Sequence, residues 1–358
     1  MRYYSVSHSI EGIFLRILIS SLLLALSLST NSHAADSGVI TLYHHVATNT
    51  PPSTSISPAD FRAHLDYLKN NQFNVIGLDL MLDSIQNGRE LPDKAIAITF
   101  DDGYSSIYET AFPMLKEYGF PFTLFVSTGP INNNQRNYMT WEQISEMANA
   151  GVLIANHMIE HPYMLERLTA ESDSQWITRL HNELIQAEQE IELHTGQSHK
   201  YLAYPYGEFD KSIKEMLAES GFIGLAQNSG AVNSQTDFLA IPRFPLASIY
   251  ANLDTAITKL ESLAFDVHQL EPDSPVTSSH SPQVTLQFST TKHNIAQINC
   301  FADSKAIPMQ WLDRDNGIVK LVPEAEYSGR RWRYICTAPV ANTGRYYWYS
   351  VQWIDPAK

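Results

Sequence analysis

An α/β barrel followed by a small antiparallel β domain is the fold class the sequence predicts, and three observations predict it. Residues 39–265 alternate short apolar runs with amphipathic helical stretches. Residues 266–282 are rich in Ser, Pro and acid, as a linker is. From residue 283 onward, short β-prone runs recur between turn residues such as Asp315-Asn316-Gly317 and Asn342-Thr343-Gly344. The expected organisation is a presequence over 1–34, an α/β domain over 35–265, a linker over 266–282 and a β domain over 283–358.

The presequence reads as a signal peptide. Arg2 and Arg16 carry positive charge, residues 17–28 are almost wholly apolar, and Ser32-His33-Ala34 precedes Ala35 as a signal-peptidase site does. The apolar run is shorter than a membrane span needs, so export to a periplasm or the cell exterior without a stable membrane anchor is expected. Cleavage would leave 324 of the 358 residues, enough for about two domains. It would also remove Arg2, Arg16 and Glu11, a net +1, taking the formal charge from −14 to −15. Such acidity argues against nucleic acid or anionic lipid as a partner. The two cysteines, Cys300 and Cys336, are expected to form one disulfide in an exported protein.

The candidate strands of the first domain are 39–43, 74–76, 95–100, 122–126, 152–155, 201–204, 223–226 and 239–241. Each is short and apolar on both faces, as parallel strands covered by helices are. The intervening helices have readable starts. Ser57-Pro58-Ala59-Asp60 supplies an N-cap, a first-turn Pro and an early acid. Thr140 and Gln143 have capping-box spacing, and a long charged helix over 173–193 stops at Gly196. A further helix is expected over 104–118. This repeated alternation favours a barrel, with an open doubly wound sheet as the alternative because strand order is not written in one sequence.

In the second domain, strands are expected at 284–288, 295–301, 318–322, 332–336 and 345–353, forming an antiparallel sandwich with the disulfide joining two of them. Its aromatic residues Trp311, Trp332, Tyr346, Tyr347, Trp348, Tyr349 and Trp353 fit either a sugar-binding surface or the alternation of a packed sheet.

The chemistry is carried by Thr99-Phe100-Asp101-Asp102-Gly103 and by Asn156-His157-Met158-Ile159-Glu160-His161-Pro162. Two acids appear where a buried strand emerges, and the C-terminal ends of strands form the active face of a barrel. Side chains alternate along a strand, so one acid can bind metal while its neighbour faces the reacting water. His157 and His161, four residues apart after another strand, are expected on one face of a helical turn as metal ligands. One carboxylate and two imidazoles hold a divalent ion, and the spare carboxylate is a base for hydrolysis.

These two motifs resemble the first two motifs of the polysaccharide deacetylases, the NodB-homology or carbohydrate esterase 4 family, over residues 39–265. The resemblance implies a distorted (β/α) barrel and metal-dependent removal of N-acetyl groups from sugar polymers. It makes Asp101 the general base, and Asp102, His157 and His161 the metal ligands. Leu202-Ala203-Tyr204-Pro205-Tyr206-Gly207 is similar to the third motif, in which the backbone N–H of the residue matching Tyr206 helps hold the oxyanion. Ala203 stands where the family has an Arg that orients the base. Arg243, in Ile241-Pro242-Arg243-Phe244-Pro245, is a candidate for the missing cation, and a surface turn is the alternative.

Leu42-Tyr43-His44-His45-Val46 resembles the N-terminal motif of the circularly permuted poly-N-acetylglucosamine deacetylases, which makes His44 the general acid and turns His45 into packing or solvent. The implied cofactor is a divalent metal, Zn²⁺ by default, with Co²⁺, Ni²⁺ or Fe²⁺ able to use the same ligands. The implied partner is an acetylated polysaccharide of β-linked N-acetylglucosamine. Two other functions share these residues: an O-acetyl polysaccharide esterase, and a non-catalytic glycan-binding protein.

Overall fold

Apolar runs with no polar face have to be covered on both sides, and that requirement shapes the whole first lobe. The computed structural model describes residues 1–3 and 34–358; the signal-peptide reading falls on residues 4–33 and lies outside the described residues. In chain order the elements are β1 (Ser37–Tyr43), α1 (Pro58–Asn70), β2 (Asn74–Val75), α2 (Leu78–Gln86), β3 (Ala95–Phe100), α3 (Phe112–Tyr118), β4 (Phe122–Val126), α4 (Thr128–Asn132) and α5 (Trp141–Asn149). They continue with β5 (Leu153–Asn156), α6 (Asp173–Thr195), β6 (Tyr201–Ala203), α7 (Lys211–Glu219), β7 (Ile223–Leu225), β8 (Val232–Asn233), β9 (Phe244–Pro245) and α8 (Leu253–Leu260).

The sheet runs β7-β6-β5-β4-β3-β1-β8, with β2 added to β3 and β9 to β1. The β1, β3, β4, β5, β6 and β7 neighbours are parallel, and β8 is antiparallel to β1. Residues 241–246 reach both margins: Ile241 bridges Leu225, while Phe244 and Pro245 pair with Thr41 and Leu42. The sheet is thereby curled into a distorted barrel. No strand forms over the expected 239–241; the two paired residues lie at 244–245, beyond Pro242, which has no N–H to give a ladder.

Pleat alternation sorts the strand residues. Ile40, Ala97, Phe125, Ala155, Ala203, Leu225 and Ile241 form one buried cluster. Val39, Ile96, Ile98, Phe100, Leu124, Val126 and Ile154 form another, shared with residues of α1, α3 and α5. Helix starts follow the local chemistry. Ser57 accepts from the Asp60 N–H, and Thr140 with Gln143 closes a full capping box. The helix expected over 104–118 forms over 105–118 and carries a π-turn at Ile107–Ala111, just ahead of Pro113, whose missing N–H cannot continue an α-helical ladder.

The C-terminal elements are β10 (Leu263–Ala264), β11 (Val267–Glu271), β12 (Val284–Phe288), β13 (Asn299–Ala302), β14 (Lys305–Ala306), β15 (Met309–Asp313), β16 (Ile318–Leu321), β17 (Arg331–Pro339) and β18 (Tyr346–Ile354). They make a five-stranded sheet, β10-β18-β17-β13-β14, and a four-stranded one, β11-β12-β16-β15. Both sheets contribute to one core, with Leu286, Phe288 and Val319 from one and Tyr334, Val351 and Trp353 from the other. Residues 267–271, expected in a linker, are instead a strand paired with β12, because Val267 is an apolar residue that this core buries. Residues 35–358 together form one compact unit.

Most of the aromatics pack rather than display a face: Trp353 is fully buried and Trp348 meets Phe244 edge-on at 5.5 Å. Cys300 and Cys336 sit opposite each other in the β13–β17 register and are disulfide-bonded across 36 residues of sequence. Replacing both by Ala is expected to lower unfolding stability by roughly 3–4 kcal/mol, read as a lower denaturant midpoint.

Candidate active site

Residue parity along β3 determines where its two acids point. Ala95, Ala97 and Thr99 share a face, and Asp101 continues it. Small residues on that face leave room for a long side chain, and Arg243 fills it. Its guanidinium donates from Nη1 to Asp101 Oδ1 at 2.7 Å and from Nη2 to Oδ2 at 2.8 Å. Nη1 also reaches Thr99 Oγ1 at 3.2 Å, and Nε donates to the Ala226 carbonyl at 2.9 Å. Asp101 and Arg243 are both fully buried. Burial alone would push the Asp101 carboxyl up, but the Arg243 charge, helped by His157 and His44, holds it below the usual carboxylate range.

Asp102 leaves the strand with φ +76, a left-handed conformation that turns its carboxylate away from Asp101. Its Oδ1 lies 3.1 Å from His157 Nε2 and 3.4 Å from His161 Nε2. The donor atoms of Asp102, His157 and His161 all lie within 4.8 Å of one another. A tetrahedral Zn²⁺ with N and O ligands needs donor separations of roughly 3.3 Å. Asp102 Oδ1 and His157 Nε2 are buried and have no hydrogen-bond partner among the described residues. Meanwhile His157 Nδ1 is 2.7 Å from the Ala203 carbonyl, so it donates there and leaves Nε2 as the lone pair. Burial brings His161 down to about 4, which keeps its imidazole neutral. The donor set therefore fits a divalent cation.

The expected helical turn at His157–His161 does not form. Met158 at φ +65 and His161 at φ +51 exclude it, and the loop is held by side chains instead. Asn156 Oδ1 accepts from the Met158 N–H, and its Nδ2 donates to the Leu184 carbonyl and to Glu188. Glu183 Oε1 accepts from the N–H groups of Ile159 and Glu160. Thr128 and Gly129 at the start of α4 donate to the carbonyls of Met158 and Ile159. The rings of His157 and His161 end 4.7 Å apart, edge to face.

His44 follows β1 half-buried and is an electrostatic neighbour of Asp101, Asp102 and His161. His45 turns away and stacks on Tyr104 at 3.7 Å. Tyr206 follows β6 in a turn, at φ +58, and its ring lies edge-on to His161 at 4.4 Å. The Tyr206 N–H has no acceptor among the described residues. The geometry thus brings together Asp101, Asp102, His157, His161, Arg243 and Tyr206, with His44 nearby, from segments spread over 200 residues of chain.

Sequence reasoning missed the surroundings of Tyr206. Tyr163 stacks on it at 3.9 Å, and Arg331 of β17 lies over its ring at 5.2 Å. Two signals were available: Tyr163 directly follows the second motif, and Arg330-Arg331 is the sole adjacent arginine pair in an acidic sequence.

Residues 88–224 match the family model described as polysaccharide deacetylase. Over 197 residues the chain is 26% identical to the poly-beta-1,6-N-acetyl-D-glucosamine N-deacetylase of Staphylococcus epidermidis, spanning 53% of this chain and 67% of that protein. The Streptococcus pyogenes deacetylase PplD, solved with acetate, matches with a TM-score of 0.57 at 20% identity, over 63% of this chain and 98% of its own. IcaB from Ammonifex degensii matches with a TM-score of 0.56 at 24% identity, over 64% and 99%. The two structures share the fold.

Proposed function

We propose that the chain, whose residues 88–224 match the polysaccharide deacetylase family model, is an exported, metal-dependent N-deacetylase of β-linked N-acetylglucosamine polymer. The observation that carries the reading is a buried carboxylate, Asp101, clamped by Arg243 beside a three-donor cluster whose inner atoms have no protein partner. The name of the Staphylococcus relative supports a β-1,6-linked polymer. The presequence pattern and the disulfide support export. Among the described residues, no helix is long and apolar enough to cross a membrane.

Asp102, His157 and His161 would hold the cation, with Zn²⁺ the default for one carboxylate and two imidazoles. When bound, it supplies Lewis-acid polarisation of the acetamide carbonyl and acidifies water. Asp101 is kept ionised by Arg243, and accepts the proton of the water that attacks the carbonyl carbon. The free Tyr206 N–H donates to the developing oxyanion. His44 gives a proton to the amide nitrogen as the C–N bond breaks, leaving acetate and an amine. Ala203 departs from the family pattern, and the Arg243 clamp on Asp101 supports the catalytic reading over a non-catalytic glycan-binding protein.

Chelation is expected to lower acetate release about 10³-fold or more, with recovery on one equivalent of Zn²⁺. His157→Ala is expected to lose both the metal and the activity. Acetate release compared between N-acetylated and O-acetylated glycans at matched concentration tests the amide preference. Faster release from the O-acetylated substrate would make the chain an esterase instead.

A further inference from the structure

The turn that presents Tyr206 is made of two consecutive left-handed residues, Tyr206 at φ +58 and Gly207 at φ +71. An L-residue leaves that region readily unless its surroundings fix it. Gly207 is itself irreplaceable, since a Cβ there would come within 2.8 Å of Gln227 Cβ. Within its own lobe the turn has two backbone bonds, from Gly207 N–H to the Tyr204 carbonyl and from Glu208 N–H to the Pro205 carbonyl. Besides the ring contacts of Tyr163 and His161, the turn is hydrogen-bonded and ion-paired from the C-terminal sandwich.

Glu208, next in sequence, is fully buried, and both its carboxylate oxygens are claimed by arginines at the start of β17. Arg330 donates from Nε at 2.6 Å and from Nη2 at 2.8 Å; Arg331 donates from Nη1 at 2.6 Å. From β18, Gln352 Nε2 donates to the Gly207 carbonyl at 2.6 Å. The same guanidinium groups cover the aromatic pair, with Arg331 5.2 Å from the Tyr206 ring centre and Arg330 4.3 Å from that of Tyr163. A planar, charge-assisted clamp on a buried carboxylate is a rigid restraint.

We propose that the C-terminal sandwich is part of the catalytic apparatus, with Arg330, Arg331 and Gln352 as positioning residues that hold the Tyr206–Gly207–Glu208 turn and through it the Tyr206 N–H. This rests on the assignment of that N–H to the oxyanion. It gives the sandwich a role other than independent glycan binding, in keeping with its packed aromatics. A displaced oxyanion donor weakens the transition state more than the bound substrate, so kcat should fall while KM holds.

The test uses the full chain carrying Arg331→Met, Gln352→Leu or both, with Leu312→Ser on the exposed face of the opposite sheet as a control. Arg331→Met leaves Glu208 paired with Arg330, so no buried charge is stranded. Each single variant is expected to lose about tenfold in kcat, and the pair about a hundredfold, with KM within about threefold of the parent. Arg331→Lys should recover part of the loss. Hydrogen exchange of the Gly207 and Glu208 amides should accelerate about tenfold in the variants and not in Leu312→Ser. Parent-like kcat together with parent-like exchange in the double variant would overturn the proposal. Exchange is read without substrate: if the parent released no acetate, the deacetylase reading would fail while exchange still decided whether the sandwich holds the turn.

Discussion

Asp101→Asn is expected to release acetate about 10²–10⁴-fold more slowly than the parent protein, because the amide cannot accept the proton of the attacking water. The loss should appear in kcat, and metal content should stay at the parent level since Asp102, His157 and His161 are untouched. Stability should fall as well. The Arg243 guanidinium, fully buried and fitted to two carboxylate oxygens, would face one carbonyl and one NH₂. Breaking one partner of a buried pair costs about 3–5 kcal/mol, measurable by denaturant unfolding. Turnover within about tenfold of the parent would remove Asp101 from the base role.

Arg243→Met is the complementary expectation. The substitution keeps the volume of the side chain and leaves Asp101 buried without its counter-charge, again at a cost of about 3–5 kcal/mol. Burial then dominates the Asp101 carboxyl, which moves up from its present position below the usual carboxylate range. The base is ionised only above its pKa, so the acid limb of kcat/KM should move to higher pH, opposite to any change that strengthens the pair. Arg243→Lys should recover some activity but not the two-point geometry. The double variant Asp101→Asn/Arg243→Met should be less destabilised than the sum of the two singles, because neither partner is left charged and alone. Additive effects would mean the pair is not coupled.

Much of this site is legible in the sequence. Residues 95–100 and 122–126 were readable as strands because a parallel strand buried on both faces has an unmistakable apolar run. The acids following one strand and the histidines following another then fell on the same rim. What sequence could not supply was local backbone held from a distance. Spacing of four at His157 and His161 reads as a helix, but Asn156, Glu183 and α4 impose a left-handed loop. Residues 267–271 look like a linker because Ser and Pro follow them, while their place in a sheet depends on Val284–Phe288 arriving alongside. Arg243 lies 142 positions from Asp101, and its partner became visible only once the sheet had curled. The clamp on Glu208 is of the same kind, joining residues 122 and 123 positions apart.

The most direct test of the account is acetate release from poly-β-1,6-N-acetylglucosamine oligomers, with bound metal quantified on the same sample. Turnover should scale with the fraction of protein carrying one divalent ion. Protein carrying a full equivalent of metal that frees no acetate from any N-acetylated glycan would contradict it.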